Sequence, residues 1–164
     1  MSRNRTPLLA AAGGVAAALG ARLLLRRLLL TALRRSVRLL NLGDYRPMLA
    51  RYADDAVLRF PDGDHRFAGE HRGRAAIERF LQQFTEVGLQ GEVREVVTTG
   101  PPWRMTAFVR FDDRACDRDG AQLYANRAVL VLRTRRGRIV EHADYFEDTA
   151  RIEELEQRLR ALGR

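Results

Sequence analysis

The chain contains no lysine, a single cysteine, a single tryptophan and five prolines in 164 residues. One cysteine, Cys116, excludes an intramolecular disulfide and leaves the redox compartment unread. No Cys/His group has zinc-ligand spacing, and no internal repeat is present. The bulk of the chain also lacks an excess of either charge. The net charge is +8, yet the first 38 residues hold eight arginines and no acid, so this stretch carries the entire excess. A nucleic-acid-binding domain shows a basic face on its folded part. The balance after residue 38 argues against nucleic acid as a partner.

What is present begins with the apolar, Arg-flanked front of that stretch, a leader over residues 1–28 with five of the eight arginines. Leu8–Ala21 is an uncharged run of Ala, Leu and Gly preceded by Arg3 and Arg5. Arg22 interrupts it, and Leu23, Leu24 and Leu25 precede Arg26 and Arg27. Three membrane-related readings stay open: a signal peptide, an anchor from about Leu8 to Leu25 with Arg22 snorkelling, and a basic amphipathic helix on an anionic membrane surface. The fourth is an extension without function. If the segment spans, six arginines on its C-terminal side, the snorkelling Arg22 included, against two before it keep the domain cytoplasmic. The prediction is a cytoplasmic protein, with association through residues 8–30 as the membrane alternative.

Residues 29–164 read as one domain. Leu29, Leu33, Val37 and Leu40 recur at helical spacing, and Gly43 suits a left-handed cap. Asp44 opens a short helix through about Tyr52, with Pro47 in its first turn. Ala56–Phe60 reads as a strand, Pro61–Gly73 as a loop, and about Arg74–Val87 as a helix stopped by Gly88. Four strand-like segments follow, Glu92–Thr99, Trp103–Asp113, Leu123–Arg133 and Arg138–Phe146, with turns at Asp117–Gly120 and Arg135–Gly137. A last helix begins near Asp148 or Thr149. Segregated helices and strands predict an α+β architecture, a twisted antiparallel sheet on helices with a cavity at its concave side.

Several segments resemble a known family. Leu42-Gly43-Asp44, Tyr52-Ala53-Asp54-Asp55-Ala56-Val57 and Gly73-Arg74-Ala75-Ala76-Ile77 resemble the front half of ketosteroid isomerase-like and SnoaL-like proteins. Gly137-Arg138-Ile139-Val140-Glu141-His142 followed by Asp144-Tyr145-Phe146 resembles their back half. The resemblance implies the cone-shaped fold of the nuclear transport factor 2-like superfamily: a curved antiparallel sheet on three N-terminal helices, with a C-terminal helix, here with an extra N-terminal apolar and basic helix. It does not name a reaction, because one fold hosts many chemistries.

In the ketosteroid isomerases, a worked example of paired carboxylates with separated pKa values, the resemblance places the family's tyrosine on Ser36, its base on Phe60 and its second acid on Asn126. The isomerase mechanism is therefore not expected here. The limonene epoxide hydrolase pattern places a base on Asp144, an acid on Asp112 and a bridging cation on Arg110, to within about one residue of register. Its water-holding Tyr and Asn fall on Leu58 and Phe60.

Strand alternation supplies an independent test, since a polar group on an apolar face is the informative kind. Asn126, His142 and Asp144 lie on such faces. Arg110 and Asp112 share a face with Arg104, Thr106 and Phe108, which solvation alone explains. Phe60 and Trp103 are expected in the pocket wall or the core. The Asp62, Asp64, His65, Glu70 and His71 stretch has no standard metal spacing, so no metal or other cofactor is expected. Two functions follow: a module binding a small apolar molecule, with a homodimer through the outer sheet face, or a cofactor-free acid–base enzyme, hydrolase or polyketide-type cyclase, centred on Asp144.

Overall fold

The computed structural model describes residues 20, 24, 27–117 and 119–164. The rest of the leader lies outside the described residues, and so do the readings that depend on it. No helix among the described residues is long and apolar enough to cross a membrane.

Residues 27–41 are helical and form α1. Leu33, Val37 and Leu40 turn inward because they repeat at three- and four-residue spacing. The helix ends at Gly43, whose φ of 90° is open to glycine. There the amides of Gly43 and Asp44 donate to the carbonyls of Leu40 and Leu39, both at 2.9 Å. The short helix α2, Arg46–Leu49, carries Pro47 in its first turn and buries Met48 and Leu49. Strand β1, Tyr52–Phe60, begins at Tyr52 rather than Ala56. Within the segment read as a loop lies a short edge strand, β2, Gly69–Arg72. It has no apolar alternation to betray it and is held by antiparallel pairing with β1, with Arg59 opposite Glu70.

Helix α3, Arg74–Glu86, buries Ile77, Phe80, Leu81 and Phe84 on one face. A meander follows: β3, Gln90–Thr99, β4, Thr106–Cys116, β5, Gln122–Arg135, and β6, Arg138–Phe146. Helix α4, Ala150–Ala161, closes the chain against β5. The expected start of β4 at Trp103 is wrong. Pro101 and Pro102 cannot donate to a ladder, and Arg104 N–H donates back to the Pro101 carbonyl at 2.9 Å. Trp103 therefore sits on a tight turn, 68% exposed.

The sheet has the order β2-β1-β6-β5-β4-β3. The meander is antiparallel as expected, but β1 lies parallel to β6. Register shifts interrupt every long pairing, at Tyr52/Val57, Val93/Glu95, Ala115/Cys116 and Arg133/Thr134. Each bends its strand and adds local twist. The shift at Arg133/Thr134 has a local consequence: Ile139 is buried and Val140 only partly so, the reverse of strict alternation back from His142. At the β3 edge Gly91 packs directly on the Phe111 ring, where a Cβ would stand 2.0 Å from a ring atom. Asn41 brackets this glycine, accepting from its amide at 2.8 Å and donating to its carbonyl at 2.9 Å. Helices α1, α2 and α3 cover the concave side, and the α+β cone implied by the resemblance is the result.

Candidate functional site

Sheet and helices do not meet everywhere. Between them lies a cavity of about 70 Å³, room for roughly five or six water molecules at ~10–15 Å³ each. Leu33, Val37 and Leu40 of α1, Phe80, Leu81 and Phe84 of α3, and Val109, Phe111, Leu130 and Leu132 of the sheet form its walls. Phe60 completes them at the end of β1, in ring contact with Phe80 and Phe146 at 5.4 and 5.0 Å between centroids. Four polar side chains face this otherwise apolar space: Tyr52, Asp113, His142 and Asp144.

The parallel register sets Tyr52 opposite Ile139 and so beside His142, the rings stacked at 6.0 Å. The Tyr52 hydroxyl lies 2.6 Å from His142 Nδ1. Burial, and then the Asp144 charge, push the Tyr52 phenol far up, so it keeps its proton. A phenol that keeps its proton donates to Nδ1, and a neutral imidazole accepting there carries its own proton on Nε2. Nε2 faces Asp144 Oδ1 at 2.6 Å. The two are close but off the line of the ring N–H, so neither atom has a hydrogen-bond partner among the described residues. Their alternation on β6 brings them to one face.

Asp113 enters from β4 and is 5% exposed. Its Oδ2 accepts from the Tyr124 hydroxyl at 3.1 Å. Its Oδ1 is buried without a hydrogen-bond partner. Burial first, with the charges of Asp144 and Asp112, raises the Asp113 carboxyl to about 7, against the Tyr124 hydrogen bond. Near neutrality about half of the Asp113 population is a neutral acid, able to donate as well as accept. The site thus holds a proton on one carboxyl and sets a histidine nitrogen beside the other.

The sequence-predicted residues separate. Asp144, His142 and Phe60 line the cavity. Arg110 and Asp112 do not: they lie on the outer face, paired with Glu95 at 3.5 Å and Arg94 at 2.7 Å. Alternation demands this, because Phe111 between them points inward. Trp103 is outside on its turn. Asn126 is buried on the inner face but both ends of its amide are used. It donates to the Asp148 carbonyl at 2.6 Å and accepts from Arg127 N–H at 2.9 Å, tying down the approach to α4. Ser36, at the family's tyrosine position, bonds the Ala32 carbonyl and receives Arg51 at 2.9 Å, away from the cavity. Two residues escaped the sequence reading, Tyr52 and Asp113. Asp113 had a signal, since it continues the apolar series Ala107, Val109, Phe111 by two residues.

A model of the SnoaL-like domain matches residues 33–142. The chain belongs to the SnoaL-like domain family. All four polar cavity residues of this SnoaL-like protein except Asp144 fall inside the matched segment. Solved structures agree on the fold. A protein from a soil-derived mobile gene cassette is 24% identical, covering 77% of this chain and 94% of its own, with a TM-score of 0.61. A nuclear transport factor 2-like protein from Burkholderia pseudomallei gives 23%, 77%, 95% and 0.61 in the same order. A candidate polyketide cyclase from Xanthomonas campestris gives 23%, 77%, 96% and 0.54. No curated protein matches the SnoaL-like chain.

Proposed function

We propose that this SnoaL-like protein is a cofactor-independent acid–base enzyme that moves a proton on a small, largely apolar carbonyl compound. The observation that carries the reading is the convergence of Asp113, His142 and Asp144 in one apolar cavity. Asp144 is the base that removes a proton from the carbon next to the carbonyl. Protonated Asp113 donates a hydrogen bond, and then its proton, to the carbonyl oxygen, giving the enol. Tyr52 fixes the His142 tautomer and His142 directs Asp144, so both act as positioning residues. Two carboxyls holding different protonation states at one pH is the requirement of general acid–base catalysis. The reading departs from the hydrolase pattern, since no arginine among the described residues lines the cavity. A fold neighbour described as a candidate polyketide cyclase supports the reaction class.

The test uses proton exchange, which needs no knowledge of the final product. A panel of small cyclic ketones and 1,3-diketones is incubated in D2O with the protein and followed by proton NMR. Wild type is expected to exchange the α-proton of at least one member, and Asp144→Asn and Asp113→Asn to lose about 10²–10⁴-fold in rate. Equal exchange by wild type and Asp144→Asn overturns the reading. Binding without exchange favours the non-catalytic module.

The proposal also retains a cytoplasmic location with the leader at a membrane, supported by the arginine-flanked apolar run of residues 8–25. It retains a homodimer through the outer sheet face, supported by the exposed Val97, Phe108, Val129 and Tyr145 there.

A further inference from the structure

One end of the cone brings together features that the cavity chemistry does not use. Helix α1 runs against β3 so that Asn41 meets Gly91 while Arg34 reaches the carbonyls of Val93 and Arg94. The start of α1 therefore lies toward the far end of β3, where the turn bearing Trp103 follows. That turn is bound to the β5–β6 hairpin: Arg136 N–H donates to the Trp103 carbonyl at 2.9 Å and Thr134 N–H to the Met105 carbonyl at 2.8 Å. The hairpin is bound in turn to the segment after α2, with Ile139 N–H donating to the Arg51 carbonyl at 2.8 Å. Arg51 closes the circle on α1, donating to the Ala32 carbonyl at 2.7 Å. The Trp103 turn, the arginine hairpin and the start of α1 thus share one end of the molecule.

The chemistry of that end is basic and aromatic. Arg133 and Arg135 are offset by Glu141 and Asp55. Arg138 is turned onto the carbonyls of Ala50 and Tyr52, and Arg104 and Arg136 have no acidic partner among the described residues. Arg104 and Arg136, without an acidic partner among the described residues, line one hollow with an indole that is 68% exposed. Leu24 and Leu28, both 59% exposed, precede α1 or open it at the same end. The chain before them includes the uncharged run of residues 8–21. Tryptophan favours the headgroup boundary of a bilayer, and arginines add attraction to anionic lipid within a Debye length.

We propose that this end docks the folded domain on an anionic bilayer, with Trp103 at the headgroup level and Arg104 and Arg136 on lipid phosphates. The catalytic reading is not needed for it.

Trp103 is the single tryptophan of the chain, so its emission reports this end alone. The full chain is mixed with vesicles of phosphatidylcholine, or of phosphatidylcholine with phosphatidylglycerol, and both sedimentation and fluorescence are read. With anionic vesicles the protein is expected to sediment, its emission to shift to shorter wavelength, and bromine-labelled acyl chains to quench it. Arg104→Gln with Arg136→Gln, two exposed changes, is expected to weaken partition about fivefold per arginine, about 1 kcal/mol each. Sedimentation with unshifted, unquenched Trp103 emission overturns the docking end and leaves the leader reading standing. Absence of sedimentation overturns both. Equal partition into neutral vesicles overturns the role of the arginines.

Discussion

Replacing Asp113 by asparagine should abolish a pH slope in stability. In the folded protein, burial, and then the Asp144 and Asp112 charges, lift this carboxyl from 3.8 to about 7. The unfolded chain releases the proton near the ordinary value, and the fold retains it. Between about pH 4 and pH 7 the unfolded state binds fewer protons than the native one, so stability falls as pH rises. Below that window both states hold the proton; above it both release it and the loss levels off. About three pH units at 1.36 kcal/mol each give a loss of about 4 kcal/mol. Asp113 is only 5% exposed, so screening by solvent removes little of this. Asparagine has the same shape, keeps an acceptor for the Tyr124 hydroxyl and has no proton to lose. At pH 4.5 the variant should lie within about 1 kcal/mol of wild type, the scale of one altered hydrogen bond. At pH 8 it should be the more stable by about 3 kcal/mol, or about 6–12 °C in Tm. Urea denaturation of both proteins at pH 4.5, 6 and 8 measures the difference, in which titrations common to both cancel. Parallel profiles for the two proteins would refute a buried, proton-holding Asp113.

Three further outcomes follow from the same contacts. Tyr52→Phe leaves His142 Nδ1 buried and unpaired and should cost about 1–3 kcal/mol in urea, with a slower α-proton exchange; in an Asp144→Asn background it should slow exchange no further. Gly91→Ala places a Cβ against the Phe111 ring and drives that ring into the cavity; a loss of about 1–3 kcal/mol is expected, while an unchanged midpoint would show that Phe111 moves freely. Phe108→Arg on the outer face should convert a dimer to a monomer in light scattering without loss of far-UV ellipticity, and a dimer surviving the change would place the interface elsewhere.

The helices and the meander were legible because they are local. A three- and four-residue apolar stripe specifies α3, and Asp117–Gly120 and Arg135–Gly137 specify two hairpins. Asp144 and His142 were legible for the same reason: two polar residues at alternate positions on a strand with an apolar face. The other half of the site was not, for two distinct reasons. Asp112 and Asp113 are adjacent, so an error of one residue exchanges the solvent face for the cavity. Tyr52 reads as the end of a short helix, and only the parallel pairing of β1 with β6 gives it a histidine to hold. Trp103 was misplaced because its alternation with Met105 and Ala107 was carried across a turn fixed by two prolines.

The hydrogen bond from Tyr52 to His142 spans 90 positions of the chain. Contacts this distant in sequence form late, after loop closure has been paid in entropy. During synthesis the first strand waits, unpaired on that side, until β6 has left the ribosome. The polar cluster of Tyr52, His142 and Asp144 therefore assembles in one step, with the docking of that strand.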